Sequence, residues 1–231
     1  MKHKLLLFVL LTASLPIFAT GSIKERLSPN ETLWFTYPAR NWSEQALHIG
    51  NGYMGASFYG DVEKERFDIA EKTFWTGGPH SVPDFNYGVV NGGKDKIAAI
   101  RRSITDRRFA EADSLSRLYM VGDYTNYGYF SMVGNLFVDF GKKNQPVQNY
   151  LRGIDLSTSR GFVEYTQGDV RFNREYFCSY PDKLMALHFT ADQKGKISFS
   201  LSHSLVYQPE KVTEGKDELI FNGIIQGNGL G

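Results

Sequence analysis

From Leu33 onward, apolar and polar positions alternate in short runs broken by polar or glycine-rich turns. In residues 46–59 two apolar runs flank Asn51-Gly52, a pair that tolerates positive φ at both residues and so predicts a tight hairpin. Asp61 to Lys64 predicts a turn into a strand over residues 66–70, and Thr73 to His80, with Gly77-Gly78-Pro79 inside it, predicts a loop because such a run cannot continue a ladder. Further strands are predicted over residues 135–140, 161–166, 170–177, 184–190, 197–205 and 218–225. In the third of these the alternation places Val170, Phe172, Arg174 and Tyr176 on one face. Strands at intervals of roughly 8–12 residues with polar turns between them predict an antiparallel β-sandwich of two sheets.

Between Asp95 and Met120 the period changes to that of a helix. Ile97, Ile100 and Ile104 share one helical face, and Phe109, Ala112, Leu115 and Tyr119 share another, so two short helices interrupt the strands. Asp106 is the expected N-cap of the second helix and Gly122 the expected stop.

The first residues follow a different logic. Lys2 and Lys4 precede an apolar run from Leu5 to Leu11, and Ala19-Thr20-Gly21 offers small residues where a signal peptidase reads, so residues 1–21 are expected to be a signal peptide and residues 22–231 the mature domain. The apolar stretch is interrupted by Thr12, Ser14 and Pro16 and is shorter than the ~20 residues of a membrane span, so no stable membrane insertion is expected. Export places the mature chain in a secreted or periplasmic compartment.

Composition narrows the chemistry. With 26 Lys+Arg against 25 Asp+Glu the chain has a formal charge of +1, too balanced for a nucleic-acid partner. Cys178 is the single cysteine, which excludes an intramolecular disulfide and a cysteine-rich metal site. The histidines, His3, His48, His80, His188 and His203, have no metal-ligand spacing, and no cofactor is expected. Glu63 and Glu65 fall in a predicted turn beside Lys64 and Arg66 and read as solvated surface charges. Asp68, Glu71, Glu164 and Glu175 are separate carboxylates that nothing in the local sequence pairs, so no catalytic residue is assigned. Trp34, Trp42, Trp75 and Tyr124 have rings that can stack on sugars, although aromatics in a sandwich are usually core. Trp75 stands out because it adjoins Gly77, Gly78 and His80 in a loop, and these four residues are the candidate domain interface or substrate rim.

Four blocks carry a family resemblance. The run ALHIGNGYMGASFYGDVEKERFDIAEKTFWTGGP over residues 46–79 resembles the N-terminal signature of the family 95 glycoside hydrolases, the inverting α-L-fucosidases. IAAIRRSITDRRFAEADSL, VGNLFVDF and REYFCSYPDKLMALHFTAD follow in the family's order. His48, Ala70, Ser131-Met132 and Asn135 depart from its usual Pro, Asn, Gln-Pro and Asp.

The resemblance implies a mainly β fold, a two-sheet super-sandwich with a two-helix insertion, that packs in the whole enzyme on a downstream (α/α)6 barrel holding the catalytic groups. Inverting hydrolysis needs two such groups roughly 6.5–9.5 Å apart across the sugar. It further implies that fucosylated glycans are met through that barrel, and that this chain is non-catalytic alone. The alternatives are a free-standing carbohydrate-binding sandwich and the N-domain of another carbohydrate-active enzyme, such as a galactosidase or a phosphorylase-like relative.

Overall fold

A computed structural model describes residues 3–5, 22–77, 90–122, 128–215, 218–223 and 225. The chain divides into two units, one of Met1–Phe74 with Ser131–Ile224 and one of Trp75–Phe130 with Ile225–Gly231.

The first unit is a β-sandwich. Its strands are β1 (His3–Leu5), β2 (Thr32–Phe35), β3 (Leu47–Gly50), β4 (Met54–Phe58), β5 (Lys64–Trp75), β6 (Phe130–Asp139), β7 (Val147–Asp155), β8 (Arg160–Gln167), β9 (Val170–Ser179), β10 (Leu184–Ala191), β11 (Ser200–Leu205), β12 (Lys211–Glu214) and β13 (Leu219–Gly223), with the last residue of β5 and the first of β6 falling in the second unit. One five-stranded sheet runs β10-β9-β8-β7-β2, the other β11-β6-β5-β4-β3, and a smaller sheet runs β1-β13-β12. The core lies between the two large sheets. Leu47, Ile49, Phe58, Phe67, Ile69 and Val138 enter it from one side and Val163, Tyr165, Phe172, Tyr176, Met185 and Leu187 from the other. Tyr176 joins them: its ring meets those of Phe58 and Phe67 edge to face at 5.1 and 4.9 Å.

The alternation expected in β9 is present, since Val170, Phe172, Arg174 and Tyr176 are all buried. The β3–β4 hairpin forms, but one residue later than the Asn-Gly pair suggests. Asn51 N–H donates to the Met54 carbonyl at 3.1 Å, which makes Gly52 and Tyr53 the central residues. Only Gly52 takes positive φ, at 79°, while the Asn51 side chain accepts from the amides of Tyr53 and Met54 at 2.9 Å. Strand β5 continues through Thr73, Phe74 and Trp75, where a loop is expected. β7 and β12 form without a predicted counterpart. In β7 the register shifts between Gln148 and Leu151, with Asn149 at φ 52°, and this bulge erases the alternation that would reveal the strand. The one-turn helices α1 (Ile23–Arg26) and α2 (Trp42–Gln45) are also unforeseen; Ser22 and Asn41 cap them through their side chains.

In the second unit α3 (Gly93–Thr105) and α4 (Phe109–Tyr119) are the expected helix pair. Asp106 is not the N-cap of α4. It closes α3, its amide donating to the Arg102 carbonyl at 2.9 Å, and Arg108 begins α4. Met120 rather than Gly122 is the C-cap of α4. Of the predicted apolar faces, Ile100 and Ala112 are buried, whereas Ile97, Ile104 and Phe109 are exposed.

Candidate functional site

Trp75 ends β5 and Phe130 begins β6, so the excursion of the second unit starts and ends on an aromatic pair. Their rings meet at 5.9 Å in a T-shaped contact. The next residues lock the stem: Thr76 N–H donates to the Tyr129 carbonyl at 3.1 Å and Tyr129 N–H donates to Thr76 Oγ1 at 2.8 Å. One step further, Gly77 lies so near Gly128 that a Cβ on Gly128 would fall 2.5 Å from the Gly77 nitrogen. The structure thus places the predicted residues Trp75 and Gly77 on one narrow stem, with Trp75 44% exposed. Gly78, His80 and Tyr124 lie outside the described residues.

Carboxylates come next, because general acid/base chemistry needs one that reaches a substrate. Glu65, expected to be a solvated turn charge, is 0% exposed. It belongs to β5 and points inward with Phe67 and Ile69, so two-residue periodicity overrides its charged neighbours. Its Oε1 accepts from the amides of Tyr59 at 3.1 Å and Gly60 at 2.7 Å, and its Oε2 accepts from Tyr176 Oη at 3.0 Å. Arg174 Nη1 stands 3.6 Å from the same oxygen. Burial pushes the Glu65 carboxyl above its usual range, against the pull of Arg174 and those donors. Enclosed in this way, Glu65 is a structural acid.

A polar row crosses the outer face of the same sheet. His48 pairs with Ser57 across β3–β4, and Ser57 pairs with Asp68 across β4–β5. Trp42 Nε1–H donates to Ser57 Oγ at 2.8 Å, which leaves the serine hydroxyl free to donate to His48 Nδ1 at 2.9 Å. A serine, a histidine and an aspartate are therefore neighbours, but in the wrong order for a triad. Asp68 sits on the far side of the serine, and its oxygens are taken up by Tyr59 Oη at 2.7 Å, Arg66 Nε at 2.6 Å and Asn135 Nδ2 at 2.5 Å. A triad needs the acid on the histidine, to orient the ring and stabilise its charge. Hydrogen bonding and burial beside Asp68 push the Tyr59 phenol up to about 12, burial being the larger cause.

Of the other candidate carboxylates, Glu164 is equally committed. Glu164 accepts from Ser22 Oγ at 2.5 Å and from Ile23 N–H at 2.6 Å. Glu175 lies 3.7 Å from His188 Nδ1. Glu71 accepts from the Thr73 hydroxyl at 2.6 Å with Oε2, while its buried Oε1 has no hydrogen-bond partner among the described residues, and burial together with the Glu71 charge raises the neighbouring Tyr53 phenol above its ordinary value. Among the described residues, no group of His, Cys, Asp and Glu side chains is placed to hold a metal ion. Two groups escape sequence reasoning altogether. Arg152 is buried on β7, where the bulge hides the face it occupies, and Tyr59 lies just past the end of β4.

Comparison with known proteins complements this geometry. The family described as "Glycosyl hydrolase family 65, N-terminal domain" matches residues 33–229. "Alpha-L-fucosidase 2" of Arabidopsis thaliana is 33% identical over 172 residues, 74% of this chain and 19% of that protein. "Probable alpha-fucosidase A" of Aspergillus niger is 28% identical over 180 residues, covering 76% of this chain and 22% of the relative. The protein of the same name in Aspergillus oryzae is 28% identical over 157 residues, 67% of this chain and 21% of its own length. The chain thus spans about a fifth of the length of these curated relatives.

Proposed function

Because the chain belongs to the family of glycosyl hydrolase family 65 N-terminal domains, we propose that it is the N-terminal sandwich of a secreted α-L-fucosidase-like enzyme that cleaves α-L-fucosides with inversion. The observation that carries this is the similarity to relatives named as fucosidases, of which the chain covers only about a fifth, alongside the family match over residues 33–229. In this reading the acid and the water-activating group come from a downstream catalytic domain. The carboxylates support it, since Glu65 is held by hydrogen bonds in the core and Asp68 and Glu164 are taken up by hydrogen bonds on the outer faces of the two sheets.

Trp75, Gly77, Gly78 and His80 then form an interface with that domain or a rim beside its substrate. The half-exposed aromatic rings of Trp75, Tyr129 and Phe130 support this, because apolar surface of that kind suits a packing seam. Residues 1–21 act as an export signal that is removed. No described helix is long and apolar enough to cross a membrane.

The test is release of fucose from a 2′-fucosylated oligosaccharide. The 231-residue chain alone is expected to release none, and a protein extended through the downstream region is expected to release it with inverted anomeric configuration. Turnover by the chain alone that vanished on changing one of its own carboxylates would overturn the assignment.

A further inference from the structure

Glu164 on β8 carries a carboxylate that is almost wholly buried, at 7% exposed, and is held by neutral donors. Ser22 Oγ donates to its Oε1 at 2.5 Å and Ile23 N–H to its Oε2 at 2.6 Å. Asn173 faces it across the β8–β9 ladder, and that side-chain amide, turned so that its nitrogen meets acceptors, donates to Oε2 at 3.0 Å. Among the described residues Glu164 forms no ion pair, unlike Glu175 on the same face, which lies 3.7 Å from His188 Nδ1 and 4.0 Å from Arg160 Nη1. A carboxylate offers about four acceptor positions. Three are used, and the one left is on Oε1, the oxygen that the Ser22 hydroxyl holds. The segment is fixed there because Ile23, 3% exposed, is seated against Leu151 and Phe162.

We propose that Glu164 is the receptor for an α-ammonium group at Ser22, created when the chain is processed, so that removal of the leader adds an ion pair to the sandwich. This pairing rests on the removal of residues 1–21 proposed above and not on the sugar the parent enzyme cleaves. Ala19 and Gly21 are the small residues a signal peptidase reads, which puts the cut between Gly21 and Ser22. Water adds across that amide bond: its oxygen goes to the Gly21 carbonyl carbon, the C–N bond breaks, and the Ser22 nitrogen keeps the electron pair and takes up protons to become an ammonium. In the full chain the same nitrogen is a neutral amide. It is three bonds from the Ser22 hydroxyl oxygen, whose contact with Oε1 brings it within reach of the unused acceptor position. A charge-assisted hydrogen bond is roughly twice as strong as a neutral one, and burial of the carboxylate limits screening by water. The other charged or titratable groups facing this corner are Lys24 and Glu25 on α1, Tyr150 on β7, Arg171 and Glu175 on β9 and His188 on β10. Lys24 and Arg171 work against a further cation, which keeps the expected gain to about tenfold.

The test exports the 231-residue chain from a bacterial host and weighs the product, which is expected to begin at Ser22. Half of it is then acetylated selectively at the α-amine. The acetyl group restores the neutral amide of the full chain and keeps the Ser22 hydroxyl and the Ile23 N–H, so the two forms differ in one charge. In the free form the α-amine, followed through the pH dependence of its acylation, is expected to titrate about one unit above the ~7.7–8.0 of an unstructured chain. Urea unfolding at pH 6.5 should then show a folding constant about tenfold larger for the free than for the acetylated form. Because the folded-state pKa is raised, that gain is complete below the unfolded value and is lost as pH rises through the folded one. In Glu164→Gln the α-amine should return to its ordinary value, and the free and acetylated forms should unfold at the same urea concentration. The parent product alone decides the first two results, whether or not Glu164→Gln folds. A product that begins at another residue, an ordinary α-amine pKa in the parent, or an advantage of the free amine that persists unchanged in Glu164→Gln would each overturn the proposal; the first refutes the cut, the other two the ion pair.

Discussion

Arg174 of β9 meets Glu65 of β5 between the two sheets, Nη1 to Oε2 at 3.6 Å, yet its shortest bonds go to the carbonyls of Asp61 and Val62, both at 2.6 Å. The guanidinium also stands 3.9 Å from the centre of the Phe140 ring and donates to Tyr165 Oη at 2.9 Å. It therefore clamps the turn entering β5 onto the opposite sheet, and Glu65 supplies the charge that makes a buried guanidinium tolerable. Removing one partner strands the other, so Arg174→Met should lose about 3–5 kcal/mol of stability. Urea unfolding checks this, and a loss under about 1 kcal/mol would show that the clamp contributes little.

Arg152 is the instructive contrast. It is also 0% exposed, but among the described residues its two terminal nitrogens have no hydrogen-bond partner, and burial lowers its pKa. Only Nε donates, to the Tyr37 carbonyl at 2.8 Å, with the Phe35 ring 4.5 Å from the guanidinium. A half-satisfied buried charge contributes little net stability, so Arg152→Met should stay within about 1 kcal/mol of the parent. Equal losses for Arg152→Met and Arg174→Met would refute the distinction.

Gly52 and Gly60 have almost the same backbone angle, φ 79° and 77°, in different surroundings. A Cβ on Gly52 meets nothing within 4 Å, whereas on Gly60 it would lie 2.3 Å from Tyr150 Oη and 2.6 Å from Arg152 Cδ. Gly52→Ala should cost about 1 kcal/mol, the left-handed conformation alone. Gly60→Ala adds overpacking of about 1–3 kcal/mol and should melt distinctly lower. Thermal melts of the two variants side by side decide it.

Cys178 faces partly into the core, and burial raises its thiol to about 11. The folded state thus favours the neutral thiol. That stability is complete below the unfolded pKa of ~8.5 and is lost as pH rises toward the folded value. At pH 8 the folded chain should react slowly with a disulfide reagent and the urea-unfolded chain at the rate of a free cysteine. Equal rates in both states would contradict the burial.

Periodicity made the sandwich legible where strands are regular: the inward face of β9, Arg174 included, follows from alternation alone. The same rule, applied to β5, would have placed Glu65 inside with Phe67 and Ile69; its charged neighbours and the presumed turn hid it. β7 is not legible because a bulge and a buried arginine break its pattern, and Asp106 closes α3 instead of opening α4 because one residue type serves both helix ends. Candidate chemistry was less legible still. Trp75 and Gly77 were singled out by turn composition, while the partners that define their stem, Tyr129, Phe130 and Gly128, lie more than fifty residues away in sequence. Contacts across that separation leave no local signal.

The N-terminal segment provides the last test, because the residues that follow the expected export signal are part of the fold. Ile23 is 3% exposed against Leu151 and Phe162, and Ser22 Oγ and Ile23 N–H supply the two donors that satisfy Glu164. A chain beginning at Ser22 keeps all of these contacts, and its new ammonium group sits on a residue that already touches the Glu164 carboxylate. A chain beginning at Ser28 loses the isoleucine, whose burial contributes about 1.5–3 kcal/mol, and leaves Glu164 without those donors at a further cost of about 1–3 kcal/mol. Relaxation of the exposed patch recovers part of that, so the expected difference is roughly 2–4 kcal/mol. Comparing these two chains with each other, rather than with the full chain, keeps the loss of β1 from entering the difference. Glu164→Gln in the chain beginning at Ser22 should lose only the fraction due to charge, since its amide oxygen still accepts from Ile23 N–H but does not pair with an ammonium. If the chains beginning at Ser22 and Ser28 unfold at the same urea concentration, the segment merely lies on the sheet and the anchor assigned to Ile23 and Glu164 is wrong.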